Sequence, residues 1–265
     1  MSTLQKERYV YILKEIENVG KIMVAEMAYQ LQVTPETIRK DLDILEKEKK
    51  LKRVHGGAVK YGQTQKEAHF NKKMNDQYYQ KREIGKKAAE IIEDNDTIMI
   101  DVGTTTVHIP EHIVGVQRLT VVTNSLAAAD LLNKQIENRF FDGKVIVLGG
   151  VANPEQKSVA GTLTCHMLEH FQFDKAFISC GGITPQDISD FDLEESIVSA
   201  QMIKQTNEVV LLADCSKLGN KSFYKICPTK EVHSIICDQA MPAEWKQHKN
   251  LQHIKWIEAK GRGVI

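Results

Sequence analysis

The chain has 265 residues, 42% hydrophobic and 26% charged, enough apolar content for real cores and enough length for two domains. Formal net charge is zero, yet residues 1–60 carry 12 Lys and Arg against 9 Asp and Glu, and residues 61–90 carry seven against four. A basic N-terminal third on an acidic body points that third toward an anionic partner. No apolar run approaches the roughly 18–20 residues that span a bilayer. The N-terminus lacks an apolar h-region, so no membrane and a cytoplasmic location are expected. The five cysteines are an odd number without a C-x-x-C pair, which predicts reduced thiols.

Three short helices fit the first fifty residues. Tyr9, Ile12, Leu13 and Ile16 keep helical spacing, as do Val24, Met27, Ala28 and Leu31, and then Ile38, Leu42 and Leu45. Thr34 before Pro35 reads as an N-cap, with Glu36 in the first turn. Lys40, Asp43 and Lys47 lie opposite the third stripe, and Thr37 and Arg39 flank it. "KLKRVHGGAV" suits a two-stranded hairpin turning near Gly56 and Gly57. Helix, helix-turn-helix and hairpin is the winged-helix order. A helix of this width fits the DNA major groove with its N-terminal side chains at base edges. Lys50, Lys52, Arg53 and His55 would then sit over phosphates or reach a groove.

Residues 61–78 are polar and without periodicity, and read as a linker between a domain at 1–60 and another at 79–265. "QKREIGKKAAEIIEDN" follows as a helix, with Ile84, Ala88 and Ile91 on one face. Then "TIMID", "LTVVT", "KVIVLGG", "KAFISCGG", "EVVLLAD" and "SIICD" alternate with helical segments. Continuous apolar runs suit strands buried on both faces, so the body is expected to be a doubly wound α/β domain with a mostly parallel sheet.

In such sheets ligands bind beyond the carboxyl ends of the strands. Asp101 ends one strand, Gly103 allows a close turn, and Thr104, Thr105 and Thr106 open the next helix. Threonine hydroxyls and backbone N–H groups there suit a phosphate. Thr123, Asn124 and Ser125 end a second strand, Gly149 and Gly150 a third, Gly181 and Gly182 a fourth, and Asp214 a fifth. Lys217, just beyond, supplies a point charge. Together these loops predict an anion-plus-polyol site. The absence of G-x-G-x-x-G and G-x-x-x-x-G-K-[ST] disfavours dinucleotides and nucleoside triphosphates. His108/His112 and His166/His170 keep a chelating i, i+4 spacing on predicted helices, but no third ligand is evident, so neither metal nor cofactor is expected.

"VTPETIRKDLDILEKEKKLKRVHGGA", followed in order by "IDVGTTT", "VVTNS", "VLGG", "KAFISCGGI" and "LLADCSKLG", resembles the DeoR family of bacterial transcriptional regulators over nearly the whole chain. The resemblance implies a winged helix-turn-helix on operator DNA. It also implies a sensor domain similar to ribose-5-phosphate isomerases, glucosamine-6-phosphate deaminases and CoA-transferases. Further implications are a phosphorylated sugar or polyol as effector, repression of carbohydrate genes and homo-oligomers, dimeric or tetrameric. The recognition helix maps to Pro35–Glu48, and the family's paired arginines fall on Arg39 and Lys40. Lysine keeps the charge but loses the bidentate fork to guanine. In "DLEESIVSAQMI" the family's glutamate is Glu195, and Ser199 stands where a lysine is common. The competing expectation is a phosphosugar isomerase or deaminase with Asp101, Glu195 and Asp214 as acid–base groups. An activator or a nucleoid protein is a third.

Overall fold

The computed structural model describes residues 3–19, 21–54, 56–60 and 69–260. The chain divides into two compact units, Met1–Lys66 and Glu67–Ile265.

The first unit runs α1 (Thr3–Val19), β1 (Lys21–Met23), α2 (Val24–Gln30), α3 (Pro35–Lys47), β2 (Leu51–Val54) and β3 (Gly57–Lys60). The three apolar stripes meet in one core, where Ile12, Ile38, Leu42 and Leu45 are fully buried. The start of α3 follows from its sequence: the Thr34 hydroxyl accepts the Thr37 N–H at 3.2 Å, and Pro35 takes the first helical position. The expected two-stranded hairpin is a three-stranded antiparallel sheet in the order β1-β3-β2. The added strand, "KIM", is too short to show a period. Its pairing explains both glycines. Gly56 sits at φ +74, and a Cβ on Gly57 would lie 2.0 Å from the Ile22 carbonyl oxygen. Arg8 of α1 forks onto Asp41 of α3 at 2.7 and 3.1 Å, and Asp41 is buried, so this ion pair fixes α3 against α1.

The second unit opens with α4 (Phe70–Asn75) and α5 (Tyr78–Ala89). The stretch expected as a linker therefore holds a helix in its second half, with Phe70 buried in the body; residues 61–68 lie outside the described residues. The chain continues through β4 (Thr97–Ile100), β5 (Leu119–Thr123), α6 (Leu126–Glu137) and β6 (Gly143–Val147). A small hairpin follows, β7 (Val151–Asn153) and β8 (Ser158–Ala160), then α7 (Thr162–Leu168) and β9 (Phe173–Ile178). Next come β10 (Gly182–Ile183), β11 (Asp187–Asp190), α8 (Leu193–Lys204) and β12 (Thr206–Leu212). The last strands are β13 (Tyr224–Pro228), β14 (Ser234–Cys237) and β15 (Lys255–Glu258).

Seven strands form one parallel sheet in the order β15-β14-β12-β9-β4-β5-β6. Alternate residues feed two cores. Ile98 and Ile100 of β4 join α5 and α6 on one face, while Met99 joins α7 and α8 on the other. Burial on both faces is why these strands read as unbroken apolar runs. From β4 the chain winds outward through β5 and β6, then returns to β9 beside β4 and winds the other way. The switch point therefore lies between β4 and β9. A second antiparallel sheet, β10-β11-β13, stands beyond the β9 end. Thr104–Thr106 enter a single 3-10 turn at Thr106–His108, where a longer helix was expected, and His108 and His112 sit on two such turns.

Candidate functional sites

In the first unit α3 presents Glu36, Arg39, Lys40, Asp43 and Lys47 outward. Among the described residues the Arg39 guanidinium meets the exposed Glu36 alone, at 3.2 Å, a surface pair that holds it weakly. Thr34 and Thr37 are occupied with the cap, their hydroxyl oxygens 2.9 Å apart. Arg53, expected over a phosphate, is engaged with α3 instead. Its guanidinium donates to the Asp43 carboxylate at 2.7 Å and to the Arg39 carbonyl at 2.9 Å, and its N–H to Glu46 at 2.7 Å. It straps β2 onto α3. Gly56 and Gly57 serve the sheet. His55 and the side chain of Lys52 lie outside the described residues.

In the second unit the switch point opens into a pocket of about 460 Å³, its open mouth included. The end of β4 contributes Val102, Gly103, Thr104 and Thr105, and the end of β9 contributes Ser179, Cys180 and Gly181. Asp190 and Phe191 come from the end of β11, Glu195 from the first turn of α8, and Lys217 from the loop after β12. Phe70 and Lys73 of α4 and Gln156 of the β7–β8 turn complete the wall. Gly103 has to be glycine: a Cβ there would lie 2.5 Å from Ser179. The Ser179 hydroxyl donates to the Val102 carbonyl at 2.7 Å and so locks the two strand ends together. Among the described residues no protein acceptor meets the backbone N–H of Gly103, Thr104 or Thr105. Lysines 73 and 217 give the wall positive charge, and Asp190 and Glu195 give it acceptors.

Other expected residues lie one layer behind. Asp101 is buried, accepting the Val102 N–H and the Ser199 hydroxyl, each at 2.8 Å. Burial, with the charge of Asp190 added, pushes its carboxyl up to about 7 against the hydrogen bonds from Ser199 and the strand-end amides. Thr106 donates to the Asp101 carbonyl, and Thr123 to the Ile100 carbonyl, both at 2.7 Å. Asn124 accepts the Val102 N–H at 2.9 Å. These three brace the strand ends. Glu195 accepts from Ser158, which ties α8 to β8.

A third group stands apart from the pocket wall. Ser125 caps α6, accepting the Ala128 N–H at 3.2 Å. Gly149 and Gly150 give the chain room beside α7, where a Cβ on Gly150 would lie 2.2 Å from the Thr164 hydroxyl. Gly182 packs on the Asn220 backbone. Asp214 is fully buried and caps the turn holding Ser216.

The sequence reading missed Phe70, Lys73, Val102, Gln156, Ser179, Cys180, Asp190 and Phe191. The signal for the last two was present: Asp192, three residues before Glu195, marks a helix start, so the residues just before it end a strand. Burial pushes the Cys180 thiol up, and Cys227 and Cys237 up to about 12, so none is a ready nucleophile. Among the described residues no cluster of three His, Cys, Asp or Glu side chains is placed to hold a metal ion, and no helix is long and apolar enough to cross a membrane.

A solved ribose 5-phosphate isomerase from Methanocaldococcus jannaschii aligns with 54% of this chain and 55% of its own at 16% identity and TM-score 0.38, too distant to carry a functional conclusion. The sequence relatives are much nearer. The chain is 45% identical to an HTH-type transcriptional regulator of Staphylococcus epidermidis, over 80% of this chain and 84% of that protein. It is 32% identical to the HTH-type transcriptional repressor GlcR of Bacillus subtilis over 89% of each. It is also 32% identical to the lactose phosphotransferase system repressor of Streptococcus mutans, over 88% of this chain and 92% of that protein. The family model for the DeoR-like helix-turn-helix domain matches residues 8–64, and that for the DeoR C terminal sensor domain matches residues 76–239. With a DNA-binding head, a sensor body and full-length regulators as its kin, the chain belongs to the DeoR family of transcriptional regulators and is not an enzyme.

Proposed function

We propose that the protein represses genes of carbohydrate metabolism and that a small phosphorylated sugar or polyol, bound in the switch-point pocket, modulates its grip on operator DNA. The observation that carries the ligand reading is that Gly103–Thr105, whose N–H groups have no acceptor among the described residues, line one pocket with Lys73 and Lys217. Backbone donors and two ammonium groups suit a phosphate dianion. Asp190 and Glu195 suit hydroxyl donors on the rest of the ligand. The names of the relatives GlcR and the lactose phosphotransferase system repressor support carbohydrate genes as the targets.

On the DNA side the readout falls to Arg39 and Lys40, with Lys47 and the wing residue Lys52 on phosphates. Arg53 acts by holding the wing to α3. Copies of the chain assemble as a homo-oligomer, so that two heads read paired half-sites. A thermal-shift screen against phosphorylated and plain sugars tests the ligand class, because a compound that binds only the folded state raises the melting temperature. At least one sugar phosphate should raise it where its unphosphorylated parent does not. Shifts from plain sugars alone would overturn the phosphate assignment.

A further inference from the structure

Two cations in the pocket wall come from distant parts of the chain, Lys73 from α4 and Lys217 from the loop after β12. One buried side chain is bonded to the first and within the electrostatic reach of the second. Lys81, on α5, is 2% exposed, and its ammonium donates to the Lys73 carbonyl at 2.6 Å. The same ammonium feels the charges of Asp214 and Lys217. Asp214 is wholly buried; one carboxylate oxygen caps the Ser216 turn, and the other has no hydrogen-bond partner among the described residues. A lysine is rarely buried so fully without a task. Burial lowers this one to about 8, while the Asp214 carboxylate opposes that shift, so it still holds its proton at neutral pH.

The helix that Lys81 supports is a short one. α4 has six residues, too few to be stable by its own hydrogen bonds. Among its attachments in the described residues are one at each end. At its start Phe70 is buried, its N–H donates to the Glu155 carbonyl at 2.9 Å, and the Lys157 ammonium stands 5.2 Å from its ring centre. Near its end the attachment is the Lys81 ammonium. Among the pocket's walls α4 is also nearest in sequence to the DNA-binding unit: β3 ends at Lys60 and α4 begins at Phe70.

We propose that α4 is the ligand-responsive wall of this pocket and that Lys81 is the positioning residue that holds Lys73 in it, without touching the ligand. An anion drawn between Lys73 and Lys217 neutralises the like charge that Lys217 sets against Lys81, and the Lys81 bond to the Lys73 carbonyl then ties α4 more tightly to the body. This inference rests on the anion-binding reading of the pocket and adds the element through which binding is felt.

Hydrogen exchange read by mass spectrometry on the full chain, with millimolar inorganic phosphate as the probe, tests it. In the wild type, phosphate should slow exchange in peptides covering Gly103–Thr106 and in those covering α4, by about threefold or more. In Lys81→Met, α4 should exchange faster than in the wild type and should lose its phosphate response, while Gly103–Thr106 keeps its own. Lys81→Arg, which retains a donor for the Lys73 carbonyl, should restore the α4 response. A merely structural lysine would lower the melting temperature and speed basal exchange, but would not separate the two phosphate responses. Slowing at Gly103–Thr106 with α4 unmoved in the wild type overturns the inference and leaves the anion site standing. An α4 response that survives in Lys81→Met overturns the role of Lys81. Phosphate acting on neither peptide brings down the inference together with the anion site.

Discussion

Arg39 and Arg53 are both arginines of the DNA-binding unit, yet their surroundings assign them different work. Among the described residues the Arg39 guanidinium has one exposed partner, which leaves it available to a base or phosphate; Arg53 is tied to Asp43 and to a helix carbonyl. Arg39→Ala should weaken specific operator binding by roughly 1–3 kcal/mol while leaving the melting temperature unchanged. Equal operator affinity in a binding titration would remove Arg39 from the readout. His108 offers a test in the body. It is buried, neither ring nitrogen has a hydrogen-bond partner among the described residues, Tyr78 lies edge-on at 5.4 Å, and the Glu111 carboxylate is 4.0 Å away. Burial lowers its pKa, reinforced by His112, Lys81 and Arg82, and Glu111 only partly opposes this. The unfolded chain therefore takes up the proton first. The stability that neutral His108 confers is complete above about pH 6.5 and is lost as pH falls below it. Asp101, with its carboxyl raised to about 7, gains stability over the same range, so the His108 loss is read as the difference between wild type and His108→Leu in thermal melts from about pH 7.5 to 5; parallel pH profiles for the two proteins would remove His108 from the account.

At the scale of elements, most of the architecture was legible because its physics is periodic. The stripes of α1, α2 and α3, the cap at Thr34 and the apolar runs of six of the seven strands of the main sheet each leave a local trace in the sequence. What was not legible depends on contacts between distant segments. β1 is three residues long and is a strand only because β3 runs beside it. α4 looked like a linker because its hydrophobic content is mainly Phe70 and Met74, and its support comes from Glu155 and Lys81. The pocket was legible at Gly103–Thr105, Gly181, Glu195 and Lys217. It was overdrawn at Gly149, Gly150 and Gly182, where a glycine after a strand serves backbone packing. Gly57 is the same case in the head, and its substitution measures it. Gly57→Ala should cost roughly 1–3 kcal/mol, because its Cβ would overlap the Ile22 carbonyl and push β1 from β3. Denaturant unfolding checks this, and a stability equal to the wild type would mean that the sheet yields without cost.

At the scale of the whole molecule, charge is divided along the chain, with the excess of Lys and Arg in the first ninety residues balanced by the rest. Operator binding should therefore weaken steeply with salt, since each neutralised phosphate releases counterions. A flat dependence in titrations between 50 and 200 mM salt would mean that few phosphates are contacted. The ligand has to prefer one arrangement of the molecule over another to have any effect, since equal affinity for both shifts nothing. The most direct measurement joins the two units in one experiment. Anisotropy of a labelled fragment from the gene's own upstream region is followed as sugar phosphates are titrated into wild-type protein and Lys217→Ala. The wild type should leave the fragment with at least one sugar phosphate, at concentrations where Lys217→Ala, equally tight on DNA without ligand, stays bound. Release of both proteins at the same concentration, or release by unphosphorylated sugars alone, would contradict the account.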